Sequence, residues 1–137
     1  MKKLYSIVLL LLFIGCSPEK IKEEQQQNLV IQAMTNGQWK VSGFVKGGSD
    51  VTADFNPYKF QFKTNLTVDA INNGAVEKTG SWNADADAQT ITSNFTNASS
   101  PLMLLNGTWN ITSTTWTSVN ATQTVGTEVR TLRLDKL

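Results

Sequence analysis

The chain has no histidine and one cysteine in 137 residues. The missing histidine removes the usual general base, the commonest metal ligand and the side chain that switches charge near neutral pH. No Ser-His or Cys-His pair can be built, and the sequence is read as that of a protein that is not an enzyme. The lone Cys16 has no partner for an intrachain disulfide. Charge is also sparse, with 17% Asp, Glu, Lys and Arg against 40% hydrophobic residues. Twelve basic and eleven acidic side chains nearly cancel, which argues against nucleic acid or an anionic surface as an electrostatic partner. Acidic clusters are few. Asp85-Ala86-Asp87 lacks the glycine and distal glutamate of a calcium loop and reads as a solvated turn. No metal and no cofactor is expected. After residue 14 no apolar run approaches the roughly 20 residues that a spanning helix needs.

One apolar run is present, at the start. Lys2 and Lys3 precede Leu4 to Ile14, which is too short to span a bilayer and of the right length for the apolar region of a secretory signal. The run ends in Phe13-Ile14-Gly15-Cys16. That sequence resembles a lipobox, with Phe13 in place of the usual leucine. The resemblance implies a signal peptide over residues 1–15, removal of that segment, acylation of Cys16 and a mature protein held on a membrane. The alternative is an ordinary signal peptide with an incidental cysteine. With Lys2 and Lys3 removed, ten basic residues face eleven acidic ones. Ser17 after the cysteine is expected, by resemblance to enteric sorting rules, to direct the protein to the outer membrane of the cell envelope. Glu19, Glu23 and Glu24 resemble surface-export signals of Bacteroidetes lipoproteins, but they are interleaved with Lys20 and Lys22, which leaves the membrane face open.

Residues 16–36 read as a lipidated N-terminus and a tether, whose polar, mobile stretch Ser17 to Gln27 closes in three glutamines. Leu29, Val30 and Met34 are spaced to make one helical turn against the edge of the domain. Residues 37–137 read as one all-β domain. Tyr58, Phe60 and Phe62 alternate with Lys59, Gln61 and Lys63, a period of two with one aromatic face. The same alternation carries Leu66, Val68 and Ala70, then Ile91 and Phe95, Trp109 and Ile111, and Leu132 and Leu134. Threonine, suited to pleated surfaces, is abundant. Turn residues punctuate the runs at Gly47-Gly48, Asn73-Gly74, 83–88 and Asn106-Gly107. About eight strands are expected, at 38–46, 57–63, 66–72, 76–83, 89–96, 108–113, 115–120 and 128–134. They form a single antiparallel meander, closed as a barrel or stacked as a sandwich. A phase slip between Val41 and Phe44 predicts a bulge at Gly43. The apolar stretch Pro101 to Leu105 predicts one helical turn or a lid.

Gly37-Gln38-Trp39, opening the first strand, is similar to the Gly-x-Trp signature of lipocalins. The tether before it, the Asp54-Phe55-Asn56-Pro57-Tyr58 segment after it, a second Gly80-Ser81-Trp82 and the closing strand Thr131 to Leu137 resemble, in that order, the small lipocalin-like lipoproteins of Bacteroidetes. The resemblance implies a lipocalin-like barrel with Trp39 as a plug at its closed end and Arg130 stacked over it. It also implies a possible small apolar ligand. An eight-stranded barrel either fills its interior with side chains or holds one small molecule there. The candidate ligand-binding residues are Tyr58, Phe60, Phe62, Trp82, Phe95, Met103 and Trp109. The competing expectation is that these aromatics are the filled core of a structural or protein-interaction module.

Overall fold

A computed structural model describes residues 18–137. The expected signal peptide at 1–15 and the lipid site at Cys16 lie outside the described residues. The chain forms a helix α1 (Pro18–Thr35) followed by β1 (Trp39–Lys46), a two-residue β2 (Ser49–Asp50), β3 (Tyr58–Phe62), β4 (Thr67–Asn72), β5 (Ala75–Asp85), β6 (Thr90–Asn94), β7 (Gly107–Thr114), β8 (Ser118–Val125) and β9 (Glu128–Lys136), with single 3-10 turns at Thr52–Phe55 and Leu102–Leu105. All strand pairs are antiparallel, and each long strand beyond β1 pairs with its successor. β1 pairs with β3 through Trp39 and Phe60 and with β9 from Trp39 opposite Lys136 to Lys46 opposite Arg130. The result is a closed eight-stranded meander barrel, with β2 as an extra strand folded onto the end of β1.

The period-two pattern sets which residues face inward. Tyr58, Phe60 and Phe62 are buried while Lys59 is exposed, and Leu132 and Leu134 are buried while Thr131 and Arg133 are exposed. The β1–β9 register shifts between Val41 and Gly43, where the phase slip predicts a bulge. Further shifts at Ala70/Ile71 and Ile111/Ser113 add local bends that help a sheet close. The Asn73-Gly74 turn takes positive φ at both residues (50° and 85°), the requirement of the tight hairpin that Asn-Gly suits. Most strand ends lie within two residues of the expected ones, and the largest move is β8, expected at 115–120 and found at Ser118–Val125. Leu66 has φ 65° in the β3–β4 turn and is exposed, so it is not an inward residue. β8 begins at Ser118, because the Thr115 hydroxyl accepts the Thr117 and Ser118 amides and turns residues that read as strand.

The tether expectation is corrected most. Residues 18–35 form one continuous helix. Met34 is buried, and Val30 and Ile31 pack against the core. Gln27 donates to the Ala84 carbonyl and accepts from the Ala86 amide, which ties the helix to the β5–β6 turn. At the other end, Lys136 Nζ donates to the Ala33 carbonyl (2.9 Å) and Trp39 Nε1 to the Met34 carbonyl (2.9 Å). Barrel side chains thus satisfy carbonyls that a helix C-terminus leaves unpaired, and a cation sits where the helix dipole favours one. Contacts distant in sequence hold a segment whose own composition reads as a solvated linker.

Candidate functional site

The barrel interior is full. Trp39, Trp82, Trp109, Phe44, Phe55, Phe60 and Phe95 are among the most completely buried side chains. Phe62 packs edge-on against Trp82 (5.2 Å between centroids), Phe60 meets Phe95 (6.3 Å), Tyr58 stacks near Phe60 (6.2 Å) and Phe44 contacts Trp109 (5.7 Å). About 30 Å³ of space remains among Phe60, Phe62, Phe95 and Trp109, room for about one or two waters and far below the volume of a lipid tail. The expected ligand residues Tyr58, Phe60, Phe62, Trp82, Phe95 and Trp109 therefore pack on one another in the core instead of lining a ligand chamber. Met103 is displaced from that set altogether. It lies on the outer side of the 3-10 turn, 50% exposed, while Leu102 and Leu105 point inward.

Gly107-Thr108-Trp109 is a third Gly-x-Trp unit, and the three share one device. Each indole N–H donates to a backbone carbonyl: Trp39 to Met34 (2.9 Å), Trp82 to Lys63 (2.9 Å) and Trp109 to Leu105 (3.0 Å). Each carbonyl belongs to a connecting segment, so every tryptophan fixes a loop or helix end to the core through its polar edge. The cation over Trp39 is Lys136, 5.0 Å from the ring centroid, and not Arg130. Both share the inward phase of β9, at opposite ends. Trp39 is opposite Lys136, whereas Arg130 is opposite Lys46 and forms an ion pair with Glu128 (2.6 Å).

Six of the described carboxylates, Asp50, Asp69, Glu77, Asp85, Glu128 and Asp135, are held by structural partners. Asp69 is bonded by Lys63 (2.7 Å) and Thr79 (2.7 Å), which lower its pKa from the ordinary value. Glu77 receives hydrogen bonds from Asn72 and then Tyr58, and is also lowered. Burial, reinforced by Glu77, raises the Tyr58 phenol. Asp50 is lowered by Thr52, Glu128 by Arg130 and Asp135 by Arg133. Every resolved carboxylate shift favours the ionised form, the opposite of what a general acid requires. Asp85 Oδ1 accepts the amides of Asp87 and Ala88 in a turn. No group of ligating side chains among the described residues is placed to hold a metal ion.

The open space lies outside the barrel, under the helix. A cleft of about 290 Å³ runs between α1 and the β7–β8 hairpin, with Leu29, Val30, Ala33 and Met34 on one wall and Ile111, Thr114, Thr115 and Trp116 on the other. Its floor is core: Trp39, Ile91 and Val119. Its rim holds two exposed large apolar side chains, Leu29 (47%) and Trp116 (56%). A second hollow of about 430 Å³ adjoins it through Leu29, Val30, Ile111 and Thr114, and polar side chains enter its lining at Gln26, Asp85, Gln89, Thr90, Thr112 and Ser113. The sequence places Leu29, Val30 and Met34 on a helical face against the domain. It does not reveal Trp116 as the opposite wall, because Thr-rich residues 115–120 read as strand and hide the turn that presents it.

No family model matches the chain, and no curated protein matches it. Among solved structures, a DUF4847 family protein from Bacteroides vulgatus is similar, with a TM-score of 0.55 at 15% identity, over 77% of this chain and 96% of that one. At that identity the likeness establishes a shared fold.

Proposed function

We propose that this protein is a lipid-anchored lipoprotein of the cell envelope, held on the outer membrane through an acylated Cys16. Its lipocalin-like barrel serves as a non-catalytic structural or protein-interaction module. The observation that carries the second half is the interior volume of about 30 Å³, which leaves the barrel a rigid body and not an internal carrier. The run Leu4 to Ile14 ending in Gly15-Cys16 supports the first half, and Ser17 supports the choice of membrane. The lipocalin-like assignment rests on Gly37-Gln38-Trp39 opening the barrel, on Trp39 buried under Lys136, and on β1 closing against β9. Asp50, Asp69, Glu77, Glu128 and Asp135, each held ionised by a neighbour, support the non-catalytic reading.

Mass spectrometry of the mature N-terminus tests the anchor. Diacylglycerol on Cys16 is expected, and two or more buried chains hold a protein almost irreversibly at about 0.8 kcal/mol per methylene. An unmodified Cys16, or a Cys16→Ser protein that still sediments with membranes, refutes it. Titration with haem, isoprenoids and fatty acids, read by NMR at the indole N–H groups of Trp82 and Trp109, tests the filled interior. Those resonances are expected to stay in place, and a saturable shift at both overturns the reading.

A further inference from the structure

The cleft beneath α1 has the anatomy of a ligand site, with an apolar floor, an apolar rim and a polar mouth at one end. We infer that it binds the tail of a single-chain neutral amphiphile, of monoacylglycerol type, taken from the surrounding membrane. This inference goes beyond the interaction-module reading; the membrane as source of the lipid rests on the proposed anchor, whereas binding itself is tested without it.

Volume is the first argument. The apolar part, about 290 Å³, is roughly twice an engineered 150 Å³ cavity that takes benzene, so it accepts on the order of ten to twelve carbons. Leaving Leu29 and Trp116 facing water across a trough floored by Trp39, Ile91 and Val119 exposes apolar surface that an alkyl chain would cover. Polarity is the second argument. The space is asymmetric: its lining is apolar towards Ala33, Met34 and Trp116, whereas the amide and hydroxyl side chains Gln26, Gln89, Thr112 and Ser113 gather at the other end. A tail lies at one end and a head group at the other. Charge is the third argument. Among the described residues lining the two parts, the single ionisable side chain is Asp85, and Lys136, at the far end, is committed to the Ala33 carbonyl and the Trp39 ring. A carboxylate or phosphate head at the mouth would be desolvated beside a like charge. A glycerol head finds amide and hydroxyl partners in Gln26, Gln89, Thr90 and Ser113. The source follows from reach. α1 rises about 17 Å from Pro18 to Leu29, slightly more than the length of one acyl chain in a bilayer core of about 30 Å. A chain attached before Pro18 is used up on the way and does not fill the trough.

The test uses the full mature chain with Cys16→Ser, so that no lipid of its own competes, titrated with monoacylglycerol bearing a lauroyl tail and with laurate at neutral pH. Saturable binding of monolauroylglycerol with a blue shift of tryptophan emission is expected, at least about tenfold tighter than laurate. Trp116→Phe should abolish most of the shift. Ala33→Trp fills the trough and should weaken binding at least about tenfold. Leu29→Lys, at an exposed position that leaves the fold intact, should do the same if Ala33→Trp disturbs the helix. Asp85→Lys should bring laurate level with or ahead of the neutral lipid. No saturable binding, laurate binding as tightly as monolauroylglycerol, or affinity untouched by both Ala33→Trp and Leu29→Lys overturns the inference. A shift of the Trp82 and Trp109 indole resonances on binding would place the ligand inside the barrel, and would refute the filled-interior reading separately.

Discussion

Replacing Gly80 by alanine should destabilise the barrel far more than a one-carbon change suggests. Gly80 lies in β5, two residues before Trp82, at a backbone conformation open to other residues. A Cβ there would stand 2.6 Å from the Asn94 carbonyl oxygen and 2.8 Å from Phe95 Cδ1. Neither neighbour is free to yield. Asn94 belongs to β6 and is paired with Ser81. Phe95 is buried, and Asn106 grips its backbone from both sides, accepting from its amide at 2.6 Å and donating to its carbonyl at 3.3 Å. An ordinary contact of 3.4 Å requires β5 and β6 to part by about 0.8 Å. Overpacking of this kind costs about 1–3 kcal/mol, offset by roughly 0.4–1 kcal/mol from the stiffer unfolded chain. With both close contacts against fixed neighbours, the net cost is about 1–2 kcal/mol, and at about 4–8 °C per kcal/mol for domains near this size the melting temperature should fall by roughly 4–16 °C. Gly43→Ala is the control. Its Cβ meets only Arg133 Cβ, at 3.4 Å, and it receives the same unfolded-state gain, so its melting temperature should stay within a few degrees of the parent protein. Calorimetry of both variants decides the matter. A Gly80→Ala protein that melts with the parent, or a Gly43→Ala protein that falls as far, refutes the argument.

Gln27→Ala should release α1 from the β5–β6 turn by removing its bonds to Ala84 and Ala86, so that limited proteolysis cuts within 18–35 while the barrel's melting temperature barely moves. Phe95→Ala should cost about 3–5 kcal/mol through lost burial and a residual cavity, read as a lower denaturant midpoint, with the interior then able to take a small apolar molecule that the parent rejects. The pH profile follows from Asp50, Asp69, Glu77, Glu128 and Asp135, all lowered chiefly by hydrogen bonds to the ionised form. A lowered native pKa contributes stability that is complete above the unfolded-state values of 3.8 to 4.5 and is lost as pH falls through the native ones. Urea midpoints should therefore be flat from neutral to about pH 5 and fall below it, with Asp69→Asn shallower in the acid limb. A profile that rises on acidification contradicts the assignment.

The strands were legible because half-buried sheet imposes a period of two that turns and loops do not share. Tyr58, Phe60 and Phe62, and later Leu132 and Leu134, declare their face without any knowledge of a partner. The bulge at Gly43 was legible for the same reason, as a break in that period. The helix was not. Its polar Gln-rich centre buries little, and what orders it is Gln27 reaching a turn some sixty residues away and Trp39 and Lys136 receiving its last carbonyls. Phase without register explains Arg130. The sequence places it correctly on the inward face of β9, but only the pairing with β1 tells which end of that face meets Trp39. The cleft shares this character, since its second wall is Trp116, whose meaning depends on which helix lies opposite.

The seam between β1 and β9 joins the first strand of the barrel to the last, with Val41 opposite Leu134 and Phe44 opposite Leu132. Such a closure has a timetable. Until residue 136 is available, β1 has only its brief pairings with β2 and β3 and nothing along the edge that β9 will cover, and bringing the two ends together carries the entropy of a loop of about ninety residues. A chain emerging N-terminus first, from a ribosome or through a narrow channel, cannot finish folding part-way. It stays open and threadable until its final strand arrives, then shuts in one cooperative act that leaves no long strand edge for a neighbouring molecule to extend.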